Sequence, residues 1–393
     1  MVNMDWVSSE IEDLKKAGRY VPIRVLESAQ GSRVKIEGKE VLNMCSNNYL
    51  GLANHPEIKK AAIEALNEFG MGAGAVRSIA GTMEIHTRLE EKLARFKHME
   101  AALVFQGGLL ANIGTIPVLV GKEDVIFSEE LNHASIIDGM RLSSAKKVVY
   151  SHKSVDDLEK KMKEFRKDGK KSLIVTDGVF SMDGDIAPVS ELADMREKYD
   201  TMLYIDDAHG EGVLGEGGRG IVNHFNLNGK VEVEMGTFSK ALGSMGGFVA
   251  GSAELIDLVK QRARPFLFSS GLNPADAAGV MKSIEIMEKD ETLVKKLWKN
   301  TEFLQKGFRE RGFKLTSTKT PITPVVIGDE KKTQQLSKFL YEEKNIFASP
   351  IVFPTVAKGT ARIRVMPSAI HTTEDLLETL DGFTDGARSL HLF

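Results

Sequence analysis

Short uninterrupted apolar runs recur through the middle of the chain, at 102–105, 125–127, 148–150, 173–175, 202–205 and 248–250. Each is continuous rather than alternating, which marks strands covered on both faces and hence a mainly parallel sheet. Stretches with apolar residues three and four apart separate most of them, at 109–119, 135–142, 155–165 and 189–199, and predict helices. Strands alternating with helices predict a doubly covered α/β sheet. Upstream, Pro56 opens a helix with Ile58, Ala62, Leu66 and Phe69 on one side, and Thr82 precedes another carrying Leu89, Leu93 and Phe96. Ile11 and Leu14 mark an amphipathic helix, followed by two short strands, 33–36 and 41–44, turning at Gly38-Lys39. From Pro274 the pattern predicts one long helix to about Arg311, a strand at 323–327, a helix at 332–343 and a strand at 361–365. A last helix, capped by Thr372 or Thr373, runs through Leu380. The elements group into an N-terminal helix-and-hairpin segment (1–45), a large α/β domain (46–275) and a smaller α+β domain (276–393).

Composition narrows the class. A formal net charge of -3 supplies no basic field for nucleic acid or an anionic membrane surface. The single cysteine, Cys45, excludes an intrachain disulfide, fits a reducing compartment and reads as a small buried residue. No apolar run is long enough to span a bilayer, and 1–24 lack the apolar core of a signal peptide. A cytoplasmic enzyme is expected.

The candidate chemistry centres on Lys240, set among small residues in Gly236-Thr237-Phe238-Ser239-Lys240-Ala241-Leu242-Gly243 after an apolar run. A lysine walled by apolar surface loses part of its preference for charge and becomes a usable amine; a buried structural lysine is the alternative. An apolar strand ends at Asp206-Asp207, with His209 close behind. A carboxylate there can hold a pyridinium nitrogen protonated, cap a loop, or join a metal site, though no second histidine or cysteine stands at ligand spacing. Gly107-Gly108 follows a strand and opens a helix, where backbone N–H groups and the helix dipole favour a phosphate, without a Walker A or dinucleotide pattern. His133, in Asn132-His133-Ala134-Ser135, can stack on a planar ring or be structural. Arg362 and Arg364 alternate onto one strand face, to be solvated or to grip a carboxylate. Gly70, Gly72 and Gly74, with Arg77, permit either a close ligand or tight chain packing.

Taken together these runs resemble the α-oxoamine synthase family of pyridoxal-phosphate enzymes, which have the fold-type I, aminotransferase-like architecture. The matching stretches are Asn47-Asn48-Tyr49-Leu50-Gly51-Leu52, Arg77 through Gly81-Thr82, Asn132-His133-Ala134-Ser135, Asp177 through Gly184, Asp206-Asp207-Ala208-His209-Gly210, Gly236 through Ala241, and Arg362-Ile363-Arg364. The resemblance implies that Lys240 forms a Schiff base with pyridoxal 5'-phosphate and later moves the α-proton. It implies that Asp206 pairs with the ring nitrogen, that His209 bonds the phenolic oxygen with Ser181 close by, and that His133 stacks on the ring. Backbone at Gly108 and Leu109, with the Thr237 hydroxyl, would hold the phosphate, and Ser270 would reach the phosphate of a neighbouring subunit's cofactor. Asn47 and Arg364 match the amino-acid carboxylate positions, with Arg362 as the fallback. The implied partners are a small amino acid, an acyl-CoA and a second copy of the chain, with active sites at the interface. Within the family, the runs 176–184 and 262–269 look closest to the glycine C-acetyltransferase branch, which uses glycine and acetyl-CoA. The first of them is largely shared with the decarboxylating branch that joins alanine to pimeloyl-CoA.

Overall fold

In the computed structural model, residues 4–16, 20, 23–166 and 170–392 are described. The reading of 1–24 therefore falls partly on residues outside the described set. The helix Asp5–Lys16 buries none of its residues, and Ile11 and Leu14 are exposed. Strands β1 (Arg33–Ile36) and β2 (Lys39–Asn43) form the expected hairpin. Its turn lies at Glu37-Gly38, one residue earlier than read, because both residues adopt positive φ (52° and 77°) and Lys39 already pairs with Ile36.

The large sheet is built from β3 (Ala101–Phe105), β4 (Val125–Glu129), β5 (Lys146–Tyr150), β6 (Ser172–Asp177), β7 (Met202–Asp206), β8 (Val233–Thr237) and β9 (Gly247–Gly251). Its order is β3-β9-β8-β7-β6-β4-β5. Every pairing from β8 to β5 is parallel, while β9 runs antiparallel to both β8 and β3. Strand alternation divides the core between the two faces. Phe127, Ile174, Leu203 and Ile205 pack on one side with Leu89, Leu93 and Phe96. Ile126, Leu173, Tyr204 and Met235 pack on the other with Ala111, Ile116 and Ile136. Both faces are covered, as the continuous runs require.

The segment after Pro274 is two helices, Pro274–Lys289 and Thr292–Glu310, rather than one. Asp290 is extended (φ -160°), and its carboxylate accepts the Thr292 N–H at 2.8 Å, restarting the helix. The first helix adds Ala277, Val280, Ile284 and Met287 to the core of the large sheet. Strands β10 (Lys314–Leu315), β11 (Thr323–Gly328), β12 (Ile346–Phe347), β13 (Pro350–Ile351) and β14 (Ala361–Val365) follow. A four-stranded antiparallel sheet, β10-β11-β14-β13, forms there, and β12 joins the N-terminal hairpin in parallel with β2. The last helix runs Thr373–Ser389, nine residues past Leu380, with Thr372 and Asp375 as a reciprocal capping box. Among the described residues no helix is long and apolar enough to cross a membrane.

Candidate active site

The carboxyl ends of β6, β7 and β8 lie side by side, the usual ligand position of an open α/β sheet. Asp177, Asp206 and Met235 stand side by side there in register. Asp206 is 3% exposed. One of its carboxylate oxygens accepts from Asn112 Nδ2 at 2.7 Å and the other from the Ala208 N–H at 3.0 Å. Asn112 is itself fully bonded, donating to Ser135 Oγ at 2.8 Å and accepting from the Tyr204 hydroxyl at 2.7 Å. Each oxygen of Asp206 thus keeps a lone pair for an incoming N–H while its orientation is fixed. Burial and the neighbouring charge of Asp206 push the Asp177 carboxyl well above the ordinary range. Asp177 is spent on structure, accepting the His133 backbone N–H at 2.6 Å.

Lys240 lies in the connection from β8 to β9. That connection is pinned by Phe238 stacked on Phe248 (5.6 Å between centroids) and by Gly243, where a Cβ would stand 2.5 Å from the Ala53 nitrogen. Burial lowers the Lys240 ammonium to about 8 against the opposing pull of Asp206 and Asp177. Among the described residues its side-chain amine has no hydrogen bond or ion pair, its carbonyl alone accepting from the Gly243 N–H at 3.1 Å, so the amine is available for chemistry. His209 is held by a 2.7 Å hydrogen bond between its Nδ1 and the hydroxyl of the buried Tyr49. Burial, and then the positive charges of Lys240 and Arg364, push its imidazole well below its ordinary value, so it is neutral. His133 is exposed and caps the helix Ala134–Leu142 through its ring nitrogen.

The anion end is the start of the helix Gly108–Leu119, whose first N–H groups have no side-chain cap. A Cβ on Gly107 would enter open space, and one on Gly108 would stand 3.3 Å from Thr237 Oγ1. Thr237 bonds the Gly246 carbonyl at 3.0 Å and touches Ser239 Oγ at 3.0 Å. The exposed Leu109 follows Gly108 at the helix start. Ser270 is exposed nearby, its carbonyl accepting from the Gln106 side chain. At the far side, Arg364 donates to the Ser181 carbonyl at 3.1 Å and to Asn47 Oδ1 at 3.3 Å. Arg362 is buried and committed to the Met182 carbonyl, at 3.1 Å, and to the Asp183 carboxylate. That commitment removes it as the fallback for a substrate carboxylate.

The sequence reading missed Asn112, Tyr49, Tyr204, Asp177 and Ser239. All lay inside quoted runs without a role, because their function is to hold a neighbour, and that depends on chain segments meeting. The fit to pyridoxal phosphate is good: an uncapped helix start with free space at Gly107, a carboxylate with open lone pairs, and a lysine amine of lowered basicity.

Comparison with known proteins agrees. The family described as aminotransferase class I and II matches residues 39–383. The 8-amino-7-oxononanoate synthase of Petrotoga mobilis is 55% identical, covering 98% of this chain and 99% of its own. That of Thermosipho melanesiensis is 53% identical, covering 98% and 97%. A solved serine palmitoyltransferase from Sphingomonas wittichii superposes with a TM-score of 0.94 at 32% identity, covering 99% of this chain and 98% of its own. With a fold-type I sheet, a site suited to pyridoxal 5'-phosphate and similarity along its whole length, this chain belongs to the α-oxoamine synthases, the pyridoxal-phosphate-dependent acyltransferases of aminotransferase class I and II.

Proposed function

We propose that this enzyme condenses alanine with pimeloyl-CoA to give 8-amino-7-oxononanoate, CoA and carbon dioxide. The observation that carries the reading is identity above one half, over nearly the entire chain, to relatives bearing that name. Glycine and acetyl-CoA, to which the runs 176–184 and 262–269 pointed first, give way: the first run is common to both branches, whereas whole-chain identity weighs every position.

Pyridoxal phosphate, when bound, supplies an electron sink for the charge that develops at the amino acid's α-carbon. Asp206 keeps the sink effective by holding a proton on the ring nitrogen. Lys240 would hold the cofactor through its side-chain amine and would move the α-proton; its lowered basicity leaves a useful share of free amine near neutrality. His133 would cover one ring face. Neutral His209, oriented by Tyr49, would donate to the phenolic oxygen, with Ser181 beside it. The N–H groups of Gly108 and Leu109, with the Thr237 hydroxyl, would hold the phosphate. Arg364 and Asn47 hold the amino-acid carboxylate.

The assembly we propose is a homodimer in which Ser270 of one subunit reaches the other's phosphate. Exposed Met71, Ile79 and Phe268 support it, because they flank the Val76–Ser270 bridge as an apolar surface. Sedimentation as a monomer at micromolar concentration would sink that assembly.

A panel of glycine, alanine and serine against acetyl-, pimeloyl- and palmitoyl-CoA, read by free thiol and carbon dioxide together, tests the substrate. Alanine with pimeloyl-CoA should turn over fastest, with one carbon dioxide per thiol. Faster glycine turnover with acetyl-CoA and no carbon dioxide would overturn the reading.

A further inference from the structure

Behind the site, on the sheet face opposite Asn112, lies a second group of charges with no part in the reaction above. Lys97, at the end of the helix Glu84–Phe96, points its ammonium at Glu234 (2.9 Å), Asp207 (3.2 Å) and Glu211 (3.7 Å) and donates to the Arg219 carbonyl (2.6 Å). All four side chains are at most 1% exposed. Three ionised carboxylates around one ammonium would leave two uncompensated negative charges out of water, which a folded protein does not sustain. Among the described residues no second cation lies within 4 Å of these carboxyls: the Arg219 guanidinium turns to Glu288 at 3.9 Å, and His98 and Lys240 act only at longer range. Four oxygens there have no hydrogen-bond partner among the described residues, namely Asp207 Oδ1, both carboxyl oxygens of Glu211 and Glu234 Oε1. Protons held on the carboxyls would remove the excess charge and supply donors.

The surrounding chain is shaped for this cluster. A Cβ on Gly220 would stand 1.7 Å from Asp207 Oδ2, and one on Gly236 would stand 2.0 Å from Glu211 Oε2. The backbone of Asp207 also fastens the machinery. The Asp207 N–H donates to the Met235 carbonyl at 2.8 Å, and its own carbonyl accepts from the N–H groups of Gly210 and Glu211 at 3.0 Å. The turn that carries His209 is thereby tied to the strand that leads to Lys240.

We propose that Lys97, Asp207, Glu211 and Glu234 form a proton-holding cluster, and that Glu211, as a neutral acid at working pH, is a positioning residue for Lys240 and for the turn between Asp206 and His209. Glu211 faces Lys97, Asp207 and Glu234 within the cluster, and the next residue, Gly212, packs on the neighbour of Lys240, where a Cβ would stand 2.3 Å from the Ala241 Cβ. Burial raises its carboxyl to about 8 and that of Asp207 to about 7, with Lys97 opposing in both cases. A neutral Glu211 leaves Lys240 a usable base; an ionised one would tighten that lysine's hold on its proton.

The test compares holoenzyme of the wild type, Glu211→Gln and Glu211→Ala from pH 6 to 9, by denaturant unfolding and by the cofactor's visible band. No acyl donor is used, so the outcome is independent of which thioester the enzyme takes. Because the folded carboxyl binds its proton more tightly than the unfolded one, stability is greatest below the ordinary value of 4.5 and is lost as pH rises to about 8. Each such proton costs roughly tenfold in the folded-to-unfolded ratio per pH unit within that window. Glu211→Gln should be at least as stable as the wild type at pH 6.5, share its spectrum there and have a slope shallower by one proton. Its cofactor band should part from the wild type's only above pH 8. Glu211→Ala should lose stability at every pH. A Gln variant as damaged as the Ala variant at pH 6.5, or one with the wild-type slope, overturns the proposal. So does the absence, in wild-type infrared spectra at neutral pH, of a protonated-carboxyl band, a measurement that needs no variant to fold.

Discussion

At the scale of single residues, the chemistry depends on groups kept in protonation states that water would not give them. Lys240 is depressed by burial although Asp206 and Asp177 pull the other way, so desolvation outweighs two nearby carboxyls. Replacing it should abolish turnover. Lys240→Ala is expected to bind the cofactor more weakly and to yield no cofactor-labelled peptide after borohydride reduction; a labelled peptide from that variant would assign the Schiff base to another lysine. Arg364 has a different task, since its guanidinium is half-exposed and anchored only to a carbonyl and an amide oxygen. A charge-assisted bond of about 1.5–3 kcal/mol predicts that Arg364→Ala raises the KM for the amino acid roughly 10- to 100-fold with a smaller effect on kcat. An unchanged KM would remove Arg364 from carboxylate binding, and Arg362 could not replace it without abandoning Asp183. Lys240, Asp206 and Arg364 stood out as candidates because each is a distinctive residue type in a distinctive run. Asn112 was not, because its role consists of contacts to Asp206, Ser135 and Tyr204, which are distant in sequence.

At the scale of elements, the site is a junction between the first turn of the helix Gly108–Leu119 and the strands β8 and β9. Gly247 on β9 makes the junction possible: a Cβ there would lie 2.7 Å from both the Cα and the nitrogen of Gly108. Backbone cannot yield as a side chain can, so Gly247→Ala should destabilise by about 1–3 kcal/mol and loosen the phosphate end. Urea midpoints together with cofactor affinity measure this, and a variant with both unchanged would show that the helix start is not seated on β9. Strands and most helices could be read from periodicity, since runs covered on both faces leave no polar positions. The break at Asp290 escaped because apolar spacing continues on either side of it, and the restart depends on a side-chain cap to Thr292. The last helix extends to Ser389 because Phe383 and Ala387 pack into the C-terminal core, a tertiary gain beyond local pattern.

At the scale of the whole molecule, distant segments are braced by buried charge. His152, after β5, lies between Glu129 of β4 (2.6 Å) and Asp185 (3.1 Å) and meets the Phe180 ring edge-on at 4.6 Å. It thereby supports the loop that carries Ser181. Burial alone would lower its imidazole, but the hydrogen bonds to Asp185 and Glu129 override that and raise it from 6.5 to about 9. A raised histidine contributes stability that is complete below its unfolded value and lost as pH rises through the folded one. Between pH 6.5 and 9 the wild type should therefore lose stability, and His152→Gln should flatten that part of the curve; denaturant midpoints across the range check it. An unaltered slope would show the pair with Glu129 and Asp185 to be neutral. By itself the sequence determined the α/β class, the order of elements, the cofactor and the family, because periodicity and residue type are local properties. Only the tertiary structure decided that Arg362 is consumed by Asp183, that Asn112 and Tyr49 orient Asp206 and His209, and that three acids surround Lys97. Those facts arise where segments far apart in the chain exclude water together, and burial is what sets the cost and the protonation of each group.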